Sequence, residues 1–383
     1  MPTQRNGFSP TWLAAGRIPS LDGWRAVAVL LVLCVQAKRY FHDSALLTGL
    51  LGKCGFIGVQ VFFVISGFLI TTLLLRERDR TGGVSLRLFY YRRMLRILPA
   101  YGLYLAVLLV LQSRGLTYRP VTGLQWSAAL TYTVNFLPGT IPGEISHLWS
   151  LSVEEHFYLL WPVLLALCGL AASYRLAWAC VAGCLIARWL ALVTLPPELS
   201  RRIDVWTFTR FDDIAVGCLL AFLARSRDWR ARLDRATSSV PCLALVSFIV
   251  LAAQLLSARQ LGARIVPEST FSLAVSLSNT VTSVGIALLM WRTLVQPDGG
   301  LGKLLNYPTV RALGVLSYSV YLWHHLFAQP RDLFWCTFPQ NLLFLLAVAA
   351  ASYLFVERPF LRLKNRLDQS PHEAASQSLT VPS

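Results

Sequence analysis

Long apolar runs separated by short polar stretches dominate this chain. A helix needs roughly 20 consecutive apolar residues, at about 1.5 Å rise each, to cross the hydrocarbon core of a bilayer. Runs of that kind fall at 24–42, 55–75, 97–113, 147–171, 175–194, 210–225, 239–257, 269–291, 311–329 and 339–356. The pattern predicts an all-α protein, a polytopic transmembrane helix bundle of about ten spans. The stretch 124–138 is too short and polar for a span and reads as an external loop or a re-entrant piece. Beyond about Leu367 the chain is polar and rich in Ser, which predicts disorder. The expected organisation is an N-terminal cytoplasmic segment (1–19), a membrane domain (20–366) and a disordered tail (367–383). No internal repeat is visible, which speaks against a transporter assembled from duplicated halves.

Composition agrees with the pattern. Of the 383 residues, 55% are apolar and only 14% charged, against about a quarter charged in ordinary soluble domains. The formal charge of +16 is a poor fit to nucleic acid, because the basic residues sit between apolar spans; they read instead as markers of cytoplasmic loops. The segment 76–96 carries Arg76, Arg78, Arg80, Arg87, Arg92, Arg93 and Arg96, and 226–238 carries Arg227, Arg230, Arg232 and Arg235. The C-terminal stretch adds Arg358, Arg362, Lys364 and Arg366. Loops on the other side hold fewer, such as Arg114 with Arg119 or Arg259 with Arg264. The bias predicts that both termini are cytoplasmic. The eight cysteines form no CxxC pair and fall mostly inside apolar spans, so neither a disulfide framework nor a metal site is expected.

Ionisable groups inside a span cost on the order of 2.5–3.5 kcal/mol on insertion scales, and they usually face the bundle interior and act there. The first span opens Leu21-Asp22-Gly23-Trp24-Arg25, and Gln36 follows Arg25 by eleven residues. On a continuous helix the two share a face, roughly 16 Å apart along the axis. A helix–helix hydrogen bond would also account for Gln36. In the second span Gly55, Gly58, Ser66 and Gly67 permit either close helix packing or a groove for a ligand chain. Arg92, Arg93 and Arg96 gather on neighbouring faces of one helix. Three guanidiniums at a membrane edge suit a polyphosphate such as coenzyme A, or lipid headgroups. The fourth span opens His147-Leu148-Trp149-Ser150 and runs on through Glu154, Glu155 and Tyr158. Two adjacent carboxylates there are hard to explain by structure alone. Arg210, Asp212 and Asp213 open the sixth span, where an internal ion pair is one reading. His324 and His325 lie in the ninth.

Five of these segments, in order, resemble the membrane-bound acyltransferase-3 family. They are Leu21 to Ala37, Gly55 to Ile70, the RRxxR set of Arg92, Arg93 and Arg96, His147 to Pro162, and the pair Ser317–His324 and Val356–Pro359. The resemblance runs from Ser20 to Pro359. It implies acyl transfer, with acetyl the expected group, from a cytoplasmic acyl-CoA to a hydroxyl of a sugar or glycoside, in a bacterial plasma membrane. No metal and no nucleic acid are implied. It also implies roles. The family's histidine position, occupied here by Gln36, is that of the general base. Arg25, with Asp22 beside it, orients that base or stabilises an oxyanion. Arg92, Arg93 and Arg96 clamp the coenzyme A phosphates, while Ser66 and Gly67 pass the pantetheine arm. Glu154 and Glu155 shape the acceptor side. His147, Trp149, Ser150, Tyr158, Arg210, Asp212 and His324 are candidates to contact the acceptor.

Gln36 is the departure that matters. Imidazole titrates near neutrality and can take a hydroxyl proton; a primary amide cannot. His42 is no ready substitute, pointing about 240° around the helix. The chain therefore reads either as an acyltransferase with a disabled base, natural or engineered, or as one whose chemistry is rerouted. A silent acyl-CoA or glycan binder and a transporter of the acceptor stand as alternatives.

Overall fold

The computed structural model describes residues 18–36, 45–200, 202–239, 268–329 and 333–364. Among them every regular element is helical. The main helices in chain order are α1 (Leu21–Cys34), α2 (Ala45–Thr81), α3 (Leu86–Ser113), α4 (Gly123–Leu130) and α5 (Leu148–Thr194). They continue with α6 (Thr207–Leu223), α7 (Arg227–Thr237), α8 (Glu268–Val295), α9 (Pro308–Phe327) and α10 (Gln340–Ser352). Among the described residues five helical stretches are long and apolar enough to cross a membrane: Leu51–Thr81, Leu86–Ser113, Gly143–Thr194, Ser272–Val295 and Gln340–Lys364. The expected span 239–257, apart from its first residue, and the expected tail lie outside the described residues.

Local chemistry sets the boundaries. The expected loop 76–96 is mostly helix, since Arg and Glu extend a helix readily. α2 runs through the arginines to Thr81, and α3 already begins at Leu86. Between them Gly82 takes a left-handed φ of 80° and donates its N–H to the Arg78 carbonyl, which ends α2 as glycine ends helices generally. Ser85 then caps α3, its hydroxyl accepting the Leu88 N–H. The expected spans 147–171 and 175–194 are halves of α5, broken at Gly169 with φ 77° and ψ 179°. In the first expected span regular helix runs to Cys34 and a 3₁₀ turn carries the chain through Gln36; its last part, 37–42, is outside the described residues. The segment 124–138 holds only α4 and a 3₁₀ turn at Val134–Phe136, with a reciprocal capping box between Thr122 and Gln125 at its start.

The helices put apolar side chains outward and charges inward. Leu167 is 77% exposed and Phe355 79%, while Arg188, Arg210, Asp212 and Asp213 are fully buried. That distribution suits hydrocarbon outside the protein.

The described residues form two compact units, one of the chain up to Gly83 with Ser150–Ser317, the other of Val84–Trp149 with Tyr318 onward. In the first, α2 packs against α1 and α6. A Cβ added at Gly67 would collide with the Ile214 carbonyl oxygen, and one at Gly217 with that of Val64. At this crossing α2 and α6 meet backbone to backbone, the use of small residues that membrane helices favour. A Cβ at Gly58 would likewise press on the Ala28 carbonyl of α1. In the second unit α3 packs against a π-helical turn, Tyr353–Glu357, that continues α10.

Candidate active site

In the first unit the start of α1 is pinned tightly. Ser20 adopts a left-handed conformation, φ 61°, costly for a residue other than glycine. Its N–H donates to Asn306 Oδ1 at 2.9 Å and its hydroxyl to the Thr293 carbonyl at 3.0 Å. Trp24 Nε1 donates to Thr293 Oγ1 at 2.9 Å. These bonds fix the helix that carries Asp22 and Arg25, whose side chains form the expected ion pair at 2.9 Å. A Cβ at Gly314 of α9 would collide with the Asp22 carbonyl, so α9 rests directly on this turn. Gln36 sits in the closing 3₁₀ turn. Its Oε1 and Nε2 are both buried, and neither finds a hydrogen-bond partner among the described residues.

A second group joins α2 to α5. Tyr158 donates its hydroxyl to Ser66 Oγ at 3.0 Å, and Ser66 donates to Glu154 Oε1 at 2.6 Å. Glu154 and Tyr158 lie one turn apart on α5, so both reach the same serine. The sequence assigned Ser66 to the donor arm and Glu154 and Tyr158 to the acceptor side; the structure unites them. Gly67 is occupied differently from expectation, its missing side chain making room for α6 instead of a ligand. Glu155 is half-buried on the same helix, and Ser150 is buried at its start.

Arg210 and Asp212 do not line an open site. Asp212 is held by Arg188 at 2.7 Å to each carboxylate oxygen, with neither side chain exposed. Arg210 pairs with Asp213 at 3.1 Å, whose Oδ1 also accepts from Ser283 at 2.5 Å and from the Gln60 amide at 3.3 Å. Sequence reasoning missed Arg188, although an arginine in the middle of the apolar run 175–194 was the available signal.

In the second unit three histidines converge. His147 stacks on His325 with centroids 4.7 Å apart and rings 9° from parallel. His324 meets His147 edge-on at 5.1 Å. His147 Nε2 lies 3.0 Å from the Leu322 carbonyl, and His324 Nδ1 2.5 Å from that of Tyr321. A carbonyl only accepts, so each of these nitrogens carries the proton. Tyr321 donates its hydroxyl to the His147 carbonyl at 3.1 Å. Trp149 is half-buried beside this group in sequence. Arg92, Arg93 and Arg96 are half-buried along the opening turns of α3. In the π turn, Glu357 accepts a hydrogen bond from Ser319 and lies within electrostatic reach of Arg96.

A helical bundle with ion pairs inside and leucine and phenylalanine outside is built as a membrane protein. The chain belongs to the acyltransferase-3 family: the family model, described as an acyltransferase domain, matches residues 18–356. It is 27% identical over 334 residues to the peptidoglycan O-acetyltransferase OatA of Listeria monocytogenes, covering 80% of this chain and 49% of that protein. It is 28% identical over 373 residues to a Staphylococcus aureus protein provisionally named an O-acetyltransferase, covering 90% and 57%. A Bacillus subtilis protein, YrhL, provisionally named a peptidoglycan O-acetyltransferase, is 27% identical over 371 residues, covering 89% and 54%. The chain thus spans about half the length of the curated relatives it matches. No solved structure matches it.

Proposed function

We propose that this chain is a membrane O-acyltransferase that takes an acetyl group from acetyl-CoA and is built to pass it to a sugar hydroxyl, and that Gln36 has removed the proton acceptor on which the transfer depends. In this reading the bundle has about ten spans in a bacterial plasma membrane, with both termini and the arginines of α3 on the cytoplasmic side. The acceptor is a cell-wall glycan hydroxyl, a reading supported by the relatives named as peptidoglycan O-acetyltransferases.

The observation that carries the proposal is Gln36 itself. A buried amide with both polar atoms unengaged among the described residues costs about 1–3 kcal/mol for each unsatisfied group, which is hard to rationalise as packing. It stands where the family places a histidine. In the transfer, the acceptor hydroxyl oxygen attacks the thioester carbonyl, the new C–O bond forms, the C–S bond breaks, and coenzyme A leaves as thiol. The hydroxyl proton needs an acceptor on the way. An imidazole at position 36 takes it and delivers it to the departing sulfur; the amide of Gln36 can accept a hydrogen bond but not the proton. Arg25, anchored by Asp22, supplies positive charge to the developing oxyanion. Arg92, Arg93 and Arg96 bind the coenzyme A phosphates, Arg being suited to that planar, bidentate contact.

The test is transfer of radiolabel from acetyl-CoA in purified membranes, this chain against Gln36→His. The expected result is label transfer by the histidine form and little by the parent, since general-base catalysis contributes roughly 10²–10⁴-fold. Equal activity would place the base elsewhere and overturn the role of position 36. Binding of acetyl-CoA without gain of turnover in Gln36→His would leave a silent binder as the better description.

A further inference from the structure

The arginines expected to mark a loop at 226–238 stand on a helix of the first unit, α7. Ser226 caps its start, the hydroxyl accepting the Trp229 N–H at 3.5 Å. α7 packs against α8, and Asp234 accepts the indole N–H of the buried Trp291 at 2.9 Å. Trp291 lies about one turn before α8 ends at Val295, and Ser272–Val295 is long and apolar enough to cross a membrane. At the junction with α6, Arg225 pairs with Asp79 at 3.0 Å, close to the end of α2. α7 therefore lies where α2, α6 and α8 all finish. One helical turn is about 5 Å, and the headgroup layer on each side of a bilayer is about 5–7 Å deep, which sets α7 at headgroup level.

Its outward face is cationic. Arg227, Arg232 and Arg235 are exposed, against one exposed acid of the same helix, Asp228. The interior arginines Arg188 and Arg210 have carboxylate partners, whereas no arginine of α7 forms an ion pair among the described residues. Arg235 donates from Nε to the Ala231 carbonyl at 3.2 Å. Trp229 is 42% exposed, and the Arg232 guanidinium lies over its ring at 4.8 Å, a cation–π contact. Trp229, Arg232 and Arg235 follow at three-residue steps, so each adjoins the next on the helix surface. An exposed indole among arginines is out of place in water, and both suit a membrane surface: tryptophan at headgroup level, arginine on phosphate. A soluble anion would have to find this face; a lipid phosphate is held beside it by the bilayer. We propose that α7 is a binding site for the phosphodiester headgroup of an anionic phospholipid such as phosphatidylglycerol, with Arg232 and Arg235 on the phosphate and Trp229 among the headgroups. The inference rests on residence in a bilayer and is independent of acyl transfer and of position 36.

The experiment places the full chain in nanodiscs of phosphatidylcholine, with and without phosphatidylglycerol, and follows amide hydrogen exchange of the α7 peptide by mass spectrometry. The expected result is that phosphatidylglycerol slows exchange of α7 about tenfold, because each arginine held at an anionic surface favours the docked helix. High salt screens exposed charges and should remove the slowing in the unaltered chain. Arg232→Gln with Arg235→Gln should remove it too, with exchange in pure phosphatidylcholine unchanged. Arg114→Gln with Arg119→Gln, which lie outside α7, should keep it. Inorganic phosphate added to phosphatidylcholine nanodiscs should have no effect; slowing by phosphate alone would mean a site for the free ion and overturn the lipid assignment. The proposal also fails if phosphatidylglycerol leaves α7 unchanged, slows every exposed peptide alike, or acts undiminished in high salt. It fails equally if the α7 double variant, folded as judged by its exchange in phosphatidylcholine, still shows the slowing. Should that variant not fold, the salt and phosphate measurements on the unaltered chain decide the matter.

Discussion

Arg188 grips Asp212 through two parallel N–H···O bonds of 2.7 Å, out of reach of solvent on both sides. The same guanidinium donates to the carbonyls of Thr209 at 2.5 Å and Ser276 at 3.0 Å, and Thr280 adds its hydroxyl to Asp212 at 2.7 Å. One arginine on α5 thereby ties α6 to α8. The geometry meets most of what burial of two charges demands, close approach and bonds from both terminal guanidinium nitrogens, while the Nε proton finds no partner among the described residues.

Removing one partner should therefore be far worse than removing both. Arg188→Met leaves a carboxylate uncompensated in the bundle, at an expected cost of about 3–5 kcal/mol. The double variant Arg188→Met with Asp212→Leu should recover most of that loss. Unfolding of the purified protein in mixed micelles, titrated with denaturing detergent, gives the midpoints. Equal loss in single and double variants would show that the pair as such is not the cause.

At the α2–α6 crossing the prediction is steric. Gly67→Ala and Gly217→Ala each drive a methyl into the facing helix backbone, and overpacking of this kind costs about 1–3 kcal/mol or more. Gly102 on α3 has open space around the same added methyl; Gly102→Ala should be neutral or gain up to about 1 kcal/mol from helix propensity. Thermal midpoints in one detergent compare the three. Tolerance at Gly67 and Gly217 would mean the helices separate more easily than their contact implies.

The sequence reveals helices well, because a span writes its length into an apolar run; α2, α3 and α8 contain their expected segments, and α10 with the π turn that follows covers all but the first residue of 339–356. It locates caps less well: the arginines 76–96 read as a loop because charge was weighed above helix propensity. The interior partners were the hardest to foresee. Asp22 with Arg25 is legible, being one turn apart on one helix. Ser66 with Glu154, 88 positions away, and Arg188 with Asp212 depend on which helices adjoin, a tertiary fact that periodicity does not encode. Glu144 was overlooked for another reason: it lies between the stretch 124–138 and the span expected from 147, and only packing makes it a buried carboxylate.

For the donor end, Arg92→Ala and Arg96→Ala in the Gln36→His background should raise KM for acetyl-CoA, each by roughly 10-fold or more if a charge-assisted phosphate contact of about 1.5–3 kcal/mol is lost. Arg87 lies exposed on the same helix, so Arg87→Ala controls for a general loss of positive charge. Unchanged KM in both test variants would rule out the phosphate clamp.

The Tyr158–Ser66–Glu154 chain makes a prediction that a purely structural role does not. Bonds run in one direction: the Tyr158 hydroxyl to Ser66, and the Ser66 hydroxyl to Glu154. Along this chain Tyr158 bears on Glu154 through Ser66. If the chain sets the position of Glu154 for the acceptor, Ser66→Ala in the Gln36→His background should cut transfer about tenfold, the worth of one hydrogen bond to a charged group. Tyr158→Phe should cut it less, because Ser66 can still donate to Glu154. The double variant should then be no worse than Ser66→Ala alone, since removing the serine already disconnects the tyrosine; independent effects would multiply instead. Initial rates against acceptor concentration measure all three. The loss should appear with the acceptor and leave KM for acetyl-CoA unchanged, so that multiplying effects, or a shift in the donor constant, would remove Ser66 from the acceptor side.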